Sequence, residues 1–253
     1  MLLPAYNQAP VLKSVIESWL KSAERAGNAA EMIVVDDGST DGTADAVASL
    51  PRVTLLRHER RQGVGACLRT ALPVARHPLV LTLTCEYPYS PADLKKLLEA
   101  IDSAQVVAGC RTEPAPAWLQ SIGSVYRLLA RGLFGVPLQS SPGWLGWRAW
   151  LANQRERWVL GVRLHDPYCG VKLFRRAVLD QCPIQSDGNY AHVELLAKAN
   201  FLGHLIAEAP LGRLSGSFKG RSEPRLGTEA ADRRLVLRSP RFQPAGLAPA
   251  MAS

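Results

Sequence analysis

VVDDGSTDGT at 34–43 is the stretch on which the reading of this chain turns. Its lead-in, MIVV at 32–35, is a short apolar run that reads as a buried strand. Asp36-Asp37-Gly38 ends that strand in a turn. A carboxylate at a strand end is an acceptor only. It can take N–H bonds from the edge of a uracil or guanine base. Gly38 and Gly42 permit the tight turn that leaves room for a nucleoside. Asp36, Asp37 or Asp41 taken singly reads as well as a turn former or helix cap. The ten-residue string as a whole is poorly explained that way.

Outward from this stretch the first half alternates strands and helices. Residues 1–4 are a strand stub. Val11, Leu12, Val15, Ile16, Trp19 and Leu20 recur with amphipathic-helix spacing. Thr40 and Asp41 are placed to cap a helix through Leu50. VTLL (53–56) is a strand, Gly63 and Gly65 open a helix through Val74, and LVLTLT (79–84) reads as a central strand. Ser90-Pro91-Ala92-Asp93 supplies a cap, a proline at the first helical position and an early acid. That helix runs through Ile101, and QVVAG (105–109) follows as a strand. Single helices between strands mean right-handed crossovers and a mostly parallel sheet. Such sheets bind ligands at the carboxyl ends of their strands. That places Asp36, Asp37, Thr84, Cys85 and Glu86 at the expected site. After 164 the α/β pattern returns: GVKLFRR (170–176) as a strand, 187–200 as a helix, and HLIAEAP (204–210) as a strand.

The chain has 253 residues, 47% of them hydrophobic, and a net charge of +8. Mean hydropathy is −0.03, which with that length excludes wholesale disorder and allows a full core without cross-links. Five widely spaced cysteines without a CxxC pair argue against a disulfide framework or structural zinc, and for a reducing, cytoplasmic setting. No signal peptide and no apolar run of spanning length are visible. The charge is uneven. Residues 111–163 carry seven arginines and two acids, and 213–253 carry eight basic and three acidic residues. The first block also holds five of the six tryptophans, Trp118, Trp144, Trp147, Trp150 and Trp158. Two readings stay open for it: an interfacial surface on an anionic membrane, or a packing layer over a site. Residues 221–253 read as a basic, disordered tail.

The motifs PAYNQ (4–8), VVDDGSTDGT, QGVGACLRTAL (62–72), LTLTCEYPYSPADL (81–94), DPYCGVKLFRRAVL (166–179), GNYAHVELLAKANFLG (188–203) and GRLSGSFKG (212–220), in this order, resemble glycosyltransferase family 2. The later ones look like its dolichyl-phosphate mannosyltransferase-like members. The resemblance covers about residues 2–220. It implies an α/β fold of the nucleotide-sugar-binding GT-A type, a mostly parallel central sheet flanked by helices. Residues 1–220 would be one domain, with 111–163 as a helical insertion. It implies inverting transfer of a sugar from a nucleotide-diphosphate donor. Pro4, Ala5, Tyr6, Asp36, Asp37, Gly63 and Arg69 would bind the nucleotide, and Mg²⁺ or Mn²⁺ would hold the diphosphate.

The family's Asp-X-Asp segment here reads Thr84-Cys85-Glu86, so one acid is lost and Glu86 is left as metal ligand and catalytic acid group. Gln8 stands where an acid is common, and Arg61 where an Asn is common. Basic side chains such as Arg61 or Arg69 taking over part of the metal's role is one explanation; a degenerate enzyme is another. The acceptor decides whether a base is needed. A polyprenyl phosphate is already anionic and asks for basic residues, with Arg175, Arg213 and Lys219 as candidates. A sugar hydroxyl asks for a carboxylate, with Asp166 as candidate; Asp166 reads equally as a turn acid before Pro167. Three functions follow: transfer to a lipid phosphate, transfer to a soluble or cell-surface glycan, or catalytically silent nucleotide-sugar binding. The expected place is the cytoplasm, peripheral on the cytoplasmic face of a membrane. No nucleic-acid-binding module is recognisable, and no GxGxxG follows the first strand, which argues against a Rossmann dehydrogenase.

Overall fold

A computed structural model describes residues 1–48, 50–85, 89–111, 164–212 and 229–243. The apolar run at 32–35 forms β2 (Met32–Asp36), buried along its whole length. It lies between β1 (Leu2–Ala5) and β3 (Val53–Arg57), parallel to both, with Ala5 opposite Asp36 and Asp36 opposite Arg57. β4 (Leu79–Thr82) joins the other side of β1 in parallel. With β5 (Val106–Arg111), β6 (Lys172–Arg175) and β7 (Ile206–Leu211) the sheet has, among the described residues, seven strands in the order β3-β2-β1-β4-β6-β5-β7. Only β6 runs against its neighbours; β5 and β7 pair in parallel. LVLT at 79–82 is the middle strand of the seven, as its β-forming composition predicts.

Alternate residues of each strand enter opposite layers, as a period of two requires. Leu3, Met32 and Val34 face α1 (Ala9–Arg25) and α3 (Leu94–Ile101). Leu2, Ile33 and Val35 face α2 (Val64–Ala71), α4 (Arg176–Gln181) and α5 (Ala191–Phe201). The molecule is therefore a helix–sheet–helix sandwich. A short 3₁₀ turn (Pro91–Asp93) leads into α3 where the Ser-Pro-Ala-Asp signal sits.

Two expectations need correction. No helix forms at 40–50; residues 43–48 are turns. Gly42 has φ +83°, outside the helical region. The polar side chains that were to cap this helix instead stitch the turn to the start of α1. Asp41 accepts from the backbone N–H of Ala9 (3.0 Å) and Thr43 (3.0 Å), and Thr43 Oγ1 accepts from the Gln8 N–H (2.9 Å). Burial works against the Asp41 carboxylate, but the bonds from Thr43 and Ala9 outweigh it and hold its pKa below the usual range. Asn7, itself at φ +52°, accepts from the Thr40 N–H (3.0 Å) and donates its own N–H to Ser39 Oγ (2.9 Å). PAYNQ and GSTDGT are thus two halves of one joint.

The second correction concerns the basic tail, of which residues 229–243 are described. It contains α6 (Glu229–Arg238). Val236 is buried against Tyr190 and Val193, Asp232 accepts from the Gly188 N–H (2.8 Å), and Phe242 stacks on Phe201 at 5.2 Å. Composition does not register a few anchors of this kind. The 111–163 insertion, beyond Arg111, lies outside the described residues.

Candidate active site

The carboxyl ends of β1, β2, β4 and β5 open on a cleft of about 300 Å³. Pro4, Ala5, Tyr6, Asp37 and Gly63 line one edge; Arg111, Tyr168, Gly188, Asn189 and His192 line the other, with Thr84 and Cys85 between.

The first edge is organised by Asp37. Its N–H donates to Ala5 O (2.8 Å), which fixes the end of β2 to the end of β1. Its Oδ1 accepts from the Gln62 N–H (2.8 Å) and lies 2.8 Å from His58 Nδ1, while Oδ2 accepts from the Gly63 N–H (2.7 Å). One buried carboxylate therefore shapes the segment 58–63 that opens α2. Charge-assisted bonds of this kind are worth about 1.5–3 kcal/mol each. Gly38, at φ +72°, lies under that segment: a Cβ there would stand 2.7 Å from the backbone carbon of Arg60. Arg61 returns into the cleft with its guanidinium 4.1 Å from the Tyr6 ring centroid. Asp36, in contrast, does not line the cleft. Its Oδ1 accepts from the Ser39 N–H (3.1 Å), and Oδ2 sits 3.4 Å from Arg57 Nε. Adjacent residues of a strand point to opposite sides, so only one of the two acids faces the site.

Arg69 does not face it either. Its guanidinium donates to Ser186 O (2.7 Å) and to Asp187 Oδ1, tying α2 to the loop before α5. The backbone makes the same joint: the Gly65 N–H donates to Asp187 O (2.8 Å), and a Cβ on Gly65 would fall 2.0 Å from Ser186 O. Arg69 is a brace between the two edges, and the expected nucleotide contact is corrected.

On the second edge Arg111 and Asp166 form a two-pronged pair, Nε to Oδ2 at 2.5 Å and Nη2 to Oδ1 at 2.9 Å. The bond from Asp166 is the largest influence raising the Arg111 pKa, which fixes the guanidinium as a cation. Both Asp166 oxygens are taken up by the guanidinium. Asp166 orients Arg111 rather than standing ready as a base. Arg111, which lines the cleft, was not singled out from the sequence. Its signal was positional only, as the last residue of β5 on the carboxyl edge.

Arg175 is displaced altogether. β6 runs antiparallel and pairs Arg175 with Leu79, at the opposite end of β4 from the cleft. Its guanidinium donates to Ile101 O (2.8 Å) and Ala104 O (3.3 Å), satisfying carbonyls at the end of α3. Arg213 and Lys219 lie outside the described residues, as does Glu86.

Beneath the second edge are buried groups that the sequence did not reveal as such. Lys172 is fully buried, donates from Nζ to Cys169 O, and burial lowers its pKa to about 8 against the raising effect of Cys169 and Asp166. His192 is 5% exposed; burial, then the Lys172 charge, hold its pKa well below the ordinary value, so the imidazole is neutral at pH 7. Its Nδ1 is buried without a partner among the described residues. His192 is among the residues that line the cleft. Gly170 packs closely here: a Cβ would stand 3.0 Å from Thr84 Cβ and press on that side chain. Burial also pushes the Tyr89 phenol up, with Cys169 Sγ donating to its oxygen (3.2 Å). Glu194, on the inner side of α5, accepts from the Gln185 and Ser186 N–H groups (2.8 and 2.9 Å) and from Lys198 Nζ (2.6 Å). It is a structural acid of the loop.

Mg²⁺ and Mn²⁺ want several hard oxygen donors. Among the described cleft residues the one carboxylate is that of Asp37, already committed to three partners; the other side-chain oxygens, on Thr84, Gln8, Asn189 and the tyrosines, are neutral, and Arg61 and Arg111 line the same cleft. That set does not by itself make a divalent-cation site.

The family model "Glycosyl transferase family 2" matches residues 1–182. Polyprenol monophosphomannose synthase of Mycolicibacterium smegmatis is 26% identical over 226 residues, 83% of this chain and 75% of that protein. Undecaprenyl-phosphate mannosyltransferase of Micrococcus luteus is 26% identical over 224 residues, 83% of this chain and 81% of that protein. Dolichyl-phosphate hexose transferase of Haloferax volcanii is 23% identical over 237 residues, covering 93% and 91%. In fold the chain is similar to glucosyl-3-phosphoglycerate synthase from Mycobacterium tuberculosis, solved with Mn²⁺, uridine diphosphate and glucosyl-3-phosphoglycerate. The TM-score is 0.59 at 23% identity, with 93% of this chain and 76% of that chain covered.

Proposed function

The chain belongs to glycosyl transferase family 2, and on that premise we propose that it transfers a hexosyl group from a nucleotide-diphosphate donor to a polyprenyl phosphate. The observation that carries this reading is the division of the cleft. One edge is a carboxylate-organised pocket closed by Tyr6, and the other presents a fixed guanidinium beside a neutral imidazole. The nucleoside sits between Tyr6 and Asp37. An anionic phosphate oxygen of the acceptor attacks the anomeric carbon from the face opposite the diphosphate. The carbon–oxygen bond to the diphosphate breaks, the nucleoside diphosphate leaves, and the anomeric configuration inverts. No proton has to be removed from such an acceptor, so no general base is needed. Arg111, held by Asp166, is a preset cation for a phosphate, and His192 lines the same cleft.

The names of the Mycolicibacterium, Micrococcus and Haloferax relatives, all lipid-phosphate sugar transferases, support this acceptor class. The pairing of Asp166 with Arg111 weighs against the hydroxyl-acceptor reading. A Mg²⁺ or Mn²⁺ ion with Glu86 as its protein ligand remains a proposal resting on the Thr84-Cys85-Glu86 pattern. So do phosphate contacts by Arg213 and Lys219, and contact of the Trp/Arg block 111–163 with an anionic membrane surface. No helix among the described residues is long and apolar enough to cross a membrane. The test is transfer of labelled sugar from UDP- and GDP-hexoses into an organic-soluble product. Label entering that phase only when polyprenyl phosphate is present supports the proposal. Donor hydrolysis at the same rate with and without it, or transfer to a free glycan instead, overturns it.

A further inference from the structure

At the rim of the second edge, away from the Asp37 pocket, a thiol, an imidazole and a carboxylate converge from three separate elements. Cys110 lies on β5 and Glu208 on β7, where Ala108 pairs with Glu208 and Cys110 with Pro210. Two residues along a strand share a face, so Cys110 and Glu208 project to the same side of neighbouring strands. His165 comes from the segment before β6. Its backbone N–H donates to Glu208 Oε1 (2.6 Å) and its Nδ1 lies 2.6 Å from Oε2. The carboxylate therefore grips the histidine at two points and fixes its ring toward Cys110. Cys110 Sγ, a ring nitrogen of His165 and a Glu208 oxygen all lie within 4.8 Å of one another.

We propose that Cys110, His165 and Glu208 form a binding site for a zinc-class transition-metal ion, with three protein ligands and a fourth position open to water. Tetrahedral zinc bonds sulfur at about 2.3 Å and nitrogen or oxygen at about 2.0–2.2 Å, which sets neighbouring ligands roughly 3.3–3.6 Å apart. His165 and Glu208, now 2.6 Å apart, part by under an ångström as the ion replaces the proton between them, and the Cys110 thiol closes on the pair from within 4.8 Å. The thiol releases its proton to solvent as the sulfur–metal bond forms. A thiolate with an imidazole selects a borderline ion over Mg²⁺ or Mn²⁺, so this site is chemically separate from any ion at the diphosphate. The other convergent set, Asp37, His58 and Cys67, is less suited. There His58 Nδ1 already faces Asp37 and its Nε2 is 2.9 Å from Thr70 Oγ1, while Asp37 is committed to the 62–63 backbone. Each of two ligands at the proposed site adjoins a member of the Arg111–Asp166 pair. An ion there pins β5 to the 164–169 segment just beside the cleft.

Titration of chelator-stripped full-length protein with Co²⁺, the spectroscopic stand-in for Zn²⁺, tests this without any activity measurement. The expected result is one equivalent that shows a thiolate-to-cobalt charge-transfer band and is displaced by Zn²⁺. The band should vanish in Cys110→Ser and persist in Cys67→Ser. Zn²⁺ affinity should fall at least about tenfold in His165→Ala and in Glu208→Gln, since even outer partners of a metal site are worth that much. Circular dichroism checks that each variant is folded. A protein that gives no thiolate band, a band that survives Cys110→Ser, or one lost in Cys67→Ser instead, overturns the proposal.

Discussion

The two edges of the cleft are built in opposite ways. The Asp37 edge is assembled from segments that announce themselves: PAYNQ and VVDDGSTDGT interlock through Asn7–Thr40, Gln8–Thr43 and Ala9–Asp41. All but Ala9, the first residue of α1, belong to those two contiguous motifs. The Gly188–His192 edge is held from far away in the chain. Gly188 is bonded by Asp232, 44 residues on, and Arg111 by Asp166, 55 residues on. One edge is held by bonds between two motifs 32–35 residues apart; the other by bonds that span 44 and 55 residues. The lesson is that the Asp37 edge can be read from its motifs, whereas the Gly188–His192 edge depends on braces outside them.

The joint between the edges is the place where that comparison breaks most sharply. Gly65→Ala drives a Cβ into the Ser186 carbonyl, where backbone meets backbone and neither can yield. The expected cost is about 3 kcal/mol, the upper range for overpacking, read as a lower midpoint in chemical denaturation. Gly27→Ala is the comparison variant, having open space around its Cβ but an unfavourable φ of +72°, and it should cost only about 1 kcal/mol.

The second edge also rests on a buried lysine. Lys172 has a folded pKa of about 8 against an ordinary 10.5. The unfolded chain holds more protons between those values, so stability should rise with pH from about 8 to 10.5. The gain attributable to this group is about 2 kcal/mol, allowing for relaxation around it. Denaturation midpoints across that range check it, and Lys172→Met should flatten the slope.

A smaller effect separates the edges directly. Asp232→Ala removes the acceptor of the Gly188 N–H and should cost about 1–2 kcal/mol. It should raise the acceptor KM several-fold while leaving nucleotide affinity within about twofold, measured by steady-state kinetics beside calorimetry. Equal losses on both sides would mean that the edges are not independent. Mildest is Thr84→Asp, which restores a hard anionic oxygen between the edges. Its expected result is a Mn²⁺ affinity about tenfold tighter, seen by paramagnetic relaxation of water.

The sheet was legible because its strands are short apolar runs closed by glycine, proline or acids, from MIVV at 32–35 to LVLTLT at 79–84. So was the Asp37 pocket, since its residues cluster in the chain. What did not show were long-range partners. Arg69 and Arg175 read as anion binders because a basic residue looks the same in sequence whether it meets a phosphate or a backbone carbonyl. In the fold both serve carbonyls. The antiparallel course of β6 decided the second case, and nothing in GVKLFRR encodes strand direction. The tail's composition hid α6, because one valine and one aspartate suffice to dock it. The Asp36–Asp37 pair left the inward residue open, and the hydrogen-bond pattern assigns it to Asp37.

That assignment gives the most direct test of the account, calorimetric titration of a nucleoside diphosphate into wild type, Asp37→Asn and Asp36→Asn. The account predicts that Asp37→Asn, which keeps the shape but removes the charge that holds Gln62 and Gly63, binds at least about tenfold more weakly, the low end for a charged hydrogen bond. Asp36→Asn should stay within about threefold of wild type. Wild-type affinity in Asp37→Asn, or a loss confined to Asp36→Asn, would contradict it.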